Sequence, residues 1–421
     1  MLKQKMIDKN QTEYDLIVIG GGASGMMAAG AACANGKKVL ILEKNKKLGE
    51  KLKITGGGRC NITNATFDTK KFLAKFGDSE KFLYSPFSKF GVQDTFDFFE
   101  SKGLPLVTEA RDRVFPETQR AFDVFKVMEK YCRKANVIKD NSVIKITGNK
   151  KSRQVISVMT KNGTYFGKNF LIATGGNSHP ETGSTGDGLK WLKDLGHTVN
   201  KPSPNIVPLK VSDKWVKDLS GTSVSFMKIT FYVNNKKAFS KTGKILFTHF
   251  GVSGPLILNS AKEVSDLLQE GDVTAKIDFY PDTDIGSLEK NILKAFDANK
   301  NKTFKNVAKE ITPLGISEAL ISFNAVKNMN EKVHSISKEE RKEIVQLLKG
   351  MPMTIQDLMG MDRAVISDGG VPLSEVDTKT MKSNLFDNLY LTGDILHINR
   401  PSGGYSLQLC WTTGYVAGQL E

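Results

Sequence analysis

Apolar residues change their spacing along the chain, and each change marks an element. Tyr14-Asp15-Leu16-Ile17-Val18-Ile19 is a short, almost unbroken apolar run ending at Gly20, Gly21 and Gly22, as in a strand buried on both faces. The alanine-rich stretch from Ser24 to Asn35 reads as a helix stopped by Gly36, and Val39 to Leu42, ending on Glu43, is a second buried strand. Strand, helix and strand together form the opening unit of a doubly wound α/β domain. Lys44 to Phe67 is polar and rich in glycine and reads as a loop. From Lys70 to Lys102 the apolar positions recur at helical spacing, which places Phe96, Phe98 and Phe99 in a core. Val143 to Ile146, Gln154 to Thr160 and Tyr165 to Phe166 alternate as strands of a small antiparallel sheet, with Asn162-Gly163 as a hairpin turn. Phe170 to Ala173 is another buried strand running into glycines.

Beyond Pro202 the texture changes. Ile229 to Val233 and Ala238 to Phe239 flank Asn234-Asn235, and Val273 to Phe279 is a further strand, so a small β-rich unit is expected here. From Ile285 to Gly350 the period is helical, and the last helix opens on Ser337 with Glu340 at the spacing of a capping box. Ala364 to Ile366 and Leu389 to Leu391 return to strands, and Ser402 to Gln419 closes the chain as a helix. The expected architecture is a Rossmann-like, doubly wound α/β domain, residues 1–197 and 358–421, interrupted by a β-rich subdomain at 198–284 and a helical one at 285–357.

Composition narrows the class. The 421 residues suit two or three domains and are 39% hydrophobic and 25% charged, an ordinary globular balance. No apolar run approaches the roughly 20 residues of a spanning helix. Met1 to Asp15 is polar with mixed charge and lacks the apolar core of a secretory signal, so a cytoplasmic protein is expected. Cys33, Cys60, Cys132 and Cys410 form no CxxC pair, and none of His179, His197, His249, His334 and His397 stands at ligand spacing from another, so no metal site is expected. A net charge of +15 invites a nucleic-acid partner, but the excess is lysine, and arginine forks dominate specific phosphate and base contacts. Residues 198–357 carry 23 Lys+Arg against 18 Asp+Glu, a density like that of the whole chain. Along the sequence the charge is spread rather than gathered into a module, which argues against a nucleic-acid partner.

The glycine-rich segments carry the chemistry. Gly20-Gly21-Gly22-Ala23-Ser24-Gly25 fits GxGxxG between a strand and a helix. Gly20 permits the tight turn, Gly22 lets the backbone approach a pyrophosphate and Gly25 lets the helix pack closely, with Ala23 and Ser24 in the same cradle. Glu43 is placed to accept hydrogen bonds from an adenosine ribose, and Lys44 and Val143 are taken as further contacts. Thr174-Gly175 and Gly393-Asp394 each follow a strand, and three such crossings at the carboxyl ends of one sheet suit an extended cofactor with a ribityl chain, Asp394 accepting its hydroxyls. In the loop Thr55 to Asn61, Gly57 and Gly58 expose N–H groups and Arg59 adds positive charge, with Cys60 and Asn61 following, as expected of a loop over a pyrophosphate or flavin ring. Gly403 and Gly404 let the backbone touch the ring, and the start of the terminal helix, with Tyr405 and Ser406, offers N–H groups to the pyrimidine edge of a reduced flavin. The expected cofactor is FAD.

These segments resemble those of the FAD-binding flavoproteins of the glutathione-reductase-like superfamily. More closely, they resemble the bacterial NAD(P)/FAD-dependent oxidoreductases that include the aminoacetone-oxidase-family FAD enzymes and a bile-acid pathway reductase. The resemblance rests on Gly20 to Gly25, Lys51 to Asn61, Ala173 to Gly176 with Gly183 to Gly188, and Gly393 to Gly414, and it spans nearly the whole chain. It implies an FAD domain carrying inserted β-rich and helical units.

The expected function is an FAD-dependent oxidoreductase in which NAD(P)H delivers hydride to flavin N5 and electrons pass to a small-molecule acceptor. With one dinucleotide fingerprint, NAD(P)H would dock transiently. His397, Cys60 and Tyr405 are the candidates for acid, base or redox work. The rivals are a flavin oxidase of a small amine or alcohol, and a flavin-bearing RNA-binding or RNA-modifying protein. Absence of GxSxG, a Walker lysine motif and HExxH leaves hydrolase and kinase readings without support.

Overall fold

The apolar run Tyr14–Ile19 is the middle strand, β1, of a five-stranded parallel sheet in the computed structural model, which describes residues 14–313, 315–326 and 328–420. The polar lead-in at 1–13, on which the expectation of no secretory signal rested, lies outside the described residues. On one side of β1 lie β2 (Val39–Leu42) and then β3 (Asn136–Ile138); on the other lie β4 (Gly167–Ile172) and then β5 (Leu389–Leu391). Val18 is in register with both Ile41 and Leu171. Leu16, Ile17 and Val18 are fully buried, as the unbroken apolar pattern of β1 requires.

Three helices frame the loops at the carboxyl ends of these strands: α1 (Ala23–Ala34), α2 (Glu50–Ile54) and α3 (Tyr405–Gly418). Small residues let α1 and α3 approach closely. A Cβ on Gly414 would stand 2.4 Å from the Ser24 carbonyl oxygen, and one on Gly418 would stand 2.5 Å from that of Ala28. The segment expected to be all loop contains α2, a single turn anchored by buried Leu52 and too short to show a period. Helix α3 starts at Tyr405 rather than at Ser402, because Gly403 and Gly404 have φ of +122° and +104° and cannot join the helix.

The chain divides into two compact units, Met1–Pro204 with Val365–Glu421, and Asn205–Ala364. The expected insert began and ended some seven residues earlier. Asn200–Asn205 and Ile366–Gly370 pair with each other, which keeps the residues leading into the insert in the first unit. The second unit holds a closed barrel, in the order Leu209–Val211, Gly251–Ser253, Lys236–Thr248, Ser223–Val233, Val273–Asp278, Met351–Leu358. Among the described residues the β-rich and helical parts share one core and do not separate into subdomains. The last barrel strand follows the helices in sequence, and Ile229, Phe231 and Ile277 share one core with Leu288, Val307 and Ile344 of the helices. The capping box forms as expected, with the Glu340 N–H donating to Ser337 Oγ at 3.2 Å and the Ser337 N–H donating to Glu340 Oε2 at 2.8 Å. No helix among the described residues is long and apolar enough to cross a membrane.

Candidate functional site

The three glycines of the first crossing differ in what constrains them. Gly20 has φ +102°, and a Cβ there would stand 2.7 Å from the Ala173 carbonyl oxygen. A Cβ on Gly25 would stand 2.0 Å from the Gly20 carbonyl oxygen. Gly22 has ordinary extended backbone, φ −82° and ψ −168°, and the nearest protein atom to a Cβ would be 4.0 Å away. Nothing in the chain itself demands glycine at Gly22. The space sits at the uncapped start of α1, where free N–H groups favour an anion, so the chain leaves a cradle of the kind a pyrophosphate fills. Glu43 holds this turn: Gly21 N–H donates to Oε2 and Asn45 N–H to Oε1, both at 2.8 Å. Burial raises its pKa, opposed by those two bonds. Ribose hydroxyls would use the carboxylate's remaining lone pairs.

Among the described residues, three buried side-chain oxygens lack partners: Asn61 Oδ1, Asn141 Oδ1 and Thr392 Oγ1. Asn61 ends the glycine loop, the Asn141 N–H donates to the Glu43 carbonyl at 3.0 Å, and Thr392 precedes Gly393. Each adjoins a segment expected to touch FAD, and buried polar atoms left unpaired by the protein are what a polar ligand satisfies. Gly57 and Gly58, at φ +69° and +84°, leave open space beside them. Gly393, at φ +63°, is set by its N–H donating to Thr413 Oγ1 at 3.1 Å. Gly175, at φ +72°, faces Ser184. These residues fit FAD.

Charge is arranged differently from the expectation. Arg59 pairs with Glu109, donates from Nε to Gln119 Oε1 at 2.7 Å and lies 4.1 Å over the Phe115 ring, so its charge is largely neutralised locally. Lys44 pairs with Asp187 at 3.0 Å, and Val143 is a half-buried residue of the small antiparallel sheet. Lys51 and Arg400, which the motif reading missed, also lie at these loops, and Arg400, like Arg59, is paired with a carboxylate, that of Asp394. Lys51 Nζ donates to Ser178 Oγ at 3.1 Å, and burial lowers its pKa, with Asp394 and Arg400 among its charged neighbours. Arg400, with 1% of its side chain exposed, pairs with Asp394 and donates to the Ile398 carbonyl at 2.7 Å and to Ser406 Oγ at 3.1 Å. Both residues lie within the quoted motifs, yet a lysine in a lysine-rich run cannot be told from a surface one by sequence.

The catalytic candidates separate clearly. Cys60 is fully buried, and burial pushes its thiol pKa far up, which denies it the thiolate of a redox cysteine. The Tyr405 ring packs 4.8 Å from Phe72, and burial raises its phenol pKa. His397 is 38% exposed, with Nε2 3.3 Å from Asp368 Oδ1 and Nδ1 2.5 Å from Asn200 Nδ2. A Cβ on Gly404 would meet the Thr63 carbonyl oxygen at 2.2 Å, so close backbone contact there is made by the protein itself.

One further cluster has the spacing of a hydrolytic triad: Ser383 Oγ lies 2.9 Å from His197 Nε2, and His197 Nδ1 lies 2.7 Å from Glu375 Oε2. It is structural. Ser383 and His197 are each 3% exposed, and Ser383 Oγ accepts the Leu385 and Phe386 N–H groups at 3.0 and 3.1 Å, so no substrate reaches the hydroxyl.

The sheet, the glycine cradle and the unpaired oxygens around it define a Rossmann-type FAD-dependent oxidoreductase. The chain belongs to the family described as HI0933-like protein Rossmann domain, which matches residues 14–420. It is 28% identical over 406 residues to the 3-dehydro-bile acid delta(4,6)-reductase of Clostridium scindens, covering 96% of this chain and 97% of that one. It is 27% identical over 405 residues to the ribosomal RNA dihydrouridine synthase of Haemophilus influenzae, covering 95% and 96%. Among solved structures, the 3-ketosteroid-delta4-(5alpha)-dehydrogenase of Rhodococcus jostii shares the fold, with TM-score 0.54 at 13% identity over 98% of this chain and 97% of that one.

Proposed function

We propose that this chain is an NAD(P)H-fed reductase of carbon–carbon double bonds conjugated to a carbonyl. The reading is carried by what the acceptors named for its relatives have in common. A 3-oxo bile acid unsaturated at positions 4 and 6, and the uracil ring of uridine, both hold a double bond in conjugation with a carbonyl. Saturating such a bond requires hydride at the far carbon and a proton at the near one. FAD supplies hydride transfer when bound, recharged by a transiently docked nicotinamide. The chain's own residues position, polarise and protonate. Lys51, held by Ser178 beside the glycine crossings, is assigned to stabilise negative charge developing on the acceptor's carbonyl, while Arg400 stays paired with Asp394. We assign proton delivery to His397. In the segment Gly393–Tyr405 it is the titratable side chain most open to solvent, 38% against 13% for Asp394 and 1% for Arg400, and Asp368 and Asn200 orient its ring.

The test is anaerobic. The flavin should bleach on addition of NADPH or NADH, and the colour should return with an α,β-unsaturated ketone or with uridine-containing RNA, with a saturated product seen by mass. His397→Gln should bleach normally and lose product formation. Failure of both nucleotides to bleach the flavin removes the assigned reductant, and recovery of colour with oxygen alone turns the assignment to an oxidase.

A further inference from the structure

The barrel strands of the second unit carry seven lysines and two aspartates, whereas Asn205–Ala364 as a whole carries 23 Lys+Arg and 19 Asp+Glu. All of the unit's positive excess therefore lies in the barrel. The excess comes from scarce carboxylates on these strands, and strand alternation sends their lysines outward: inward positions such as Ile229, Phe231 and Ile277 fill the core, and the positions between them point to water. On the strands Ser223–Val233, Lys236–Thr248 and Val273–Asp278, Lys228, Lys244 and Lys276 are exposed. Lys276 lies 5.5 Å over the ring of Tyr232. Asp278, opposite Lys228, is occupied by Lys349 at 2.7 Å.

Phe226 is the second observation. It is 76% exposed, the most exposed large apolar side chain described, and its φ of +59° is left-handed, a strained conformation for a bulky residue. The strand bulges between Val224 and Met227, holding Phe226 out beside Lys244. No packing explains this ring. A flat apolar ring among lysines matches single-stranded nucleic acid, in which unpaired bases stack on the aromatic while phosphates meet the ammonium groups.

We propose that this outer wall of the barrel docks single-stranded RNA. Its link to catalysis rests on the reductase reading with a uracil base as acceptor, while the docking stands on the wall itself. In the flavin-loaded full chain, a fluorescein-labelled oligouridylate should bind more tightly than a duplex of equal length. Phe226→Asn, which tolerates the left-handed backbone, should weaken binding roughly tenfold, the loss of one stacked base, and Phe226→Trp should restore it. Replacing Lys228, Lys244 and Lys276 together by Gln should lower the salt slope by about two, near 0.7 for each phosphate contact. All variants should keep wild-type flavin content and bleaching by reductant. The proposal is overturned if the duplex binds equally well, or if Phe226→Asn binds as wild type while the lysine variant does not, which marks a general polyanion surface. Binding as expected without any saturated uridine would sink the reductase reading and leave the docking intact.

Discussion

Gly22→Ala separates the cofactor's demand for glycine from the chain's own. At Gly20 and Gly25 the protein enforces glycine, since a Cβ would stand 2.7 Å and 2.0 Å from backbone oxygens. Alanine at either should lower the melting temperature of the apoprotein, Gly20→Ala by left-handed strain of about 1–2 kcal/mol in addition to the clash. At Gly22 the backbone is extended and the nearest protein atom is 4.0 Å from the added carbon. Alanine should leave the apoprotein's stability unchanged or raise it by about 0.4–1 kcal/mol through the unfolded chain's lost freedom. The same methyl group intrudes on the pyrophosphate. Losing one hydrogen bond to a charged group costs about 1.5–3 kcal/mol, so FAD affinity should fall roughly ten- to hundredfold. Apoprotein melting and FAD titration by flavin fluorescence measure the two effects separately. Wild-type FAD affinity in Gly22→Ala would refute the cradle, and a melting loss as large as that of Gly20→Ala would show the position to be structural.

His197 is held neutral by burial, which lowers its pKa below the ordinary 6.5 despite Glu375 at 2.7 Å. Its contribution is therefore complete above 6.5 and lost as pH falls through the folded value, so melting of wild type should drop more steeply from about pH 7 to about pH 5 than that of His197→Gln; parallel curves would exclude the residue. Arg400→Met strands Asp394, whose side chain is 13% exposed, and should cost about 3–5 kcal/mol by denaturant melting, partly recovered by adding Asp394→Asn. Joining Pro204 to Val365 by a short linker should leave a folded, yellow protein, because the first unit has its own core and the strands leading out and back pair with each other; a colourless or unfolded product would contradict that independence. Cys60→Ala should be reduced at the wild-type rate in stopped flow, since the thiol is buried and protonated; a large slowing would restore a redox role.

Local chemistry made the nucleotide-binding half legible. The run Tyr14–Ile19, the glycines after it and Glu43 lie within one strand–helix–strand unit, so spacing along the chain stands in for distance in space. Non-local features were not legible. Closure of the barrel joins Leu209–Val211 to Met351–Leu358, more than a hundred residues apart, and no local pattern encodes that pairing. The partners of Arg59 and Asp394 were likewise settled by loops that meet only in the fold.

By itself the sequence determined the parallel sheet, the GxGxxG turn, the capping box at Ser337 and the glycine-rich segments that mark an FAD site, because each depends on backbone freedom or periodicity within a few residues. Only the tertiary structure decided which of those glycines the chain needs for itself, that Arg59 pairs with Glu109 and Arg400 with Asp394, and that Ser383, His197 and Glu375 form a buried brace. It also decided that the carboxylates of 198–357 lie mostly off the barrel strands, which leaves the lysines on those strands unbalanced. The physical reason is common to all of these: burial, charge pairing and surface clustering are set by distance in space, and the chain brings residues far apart in sequence to within a few ångströms.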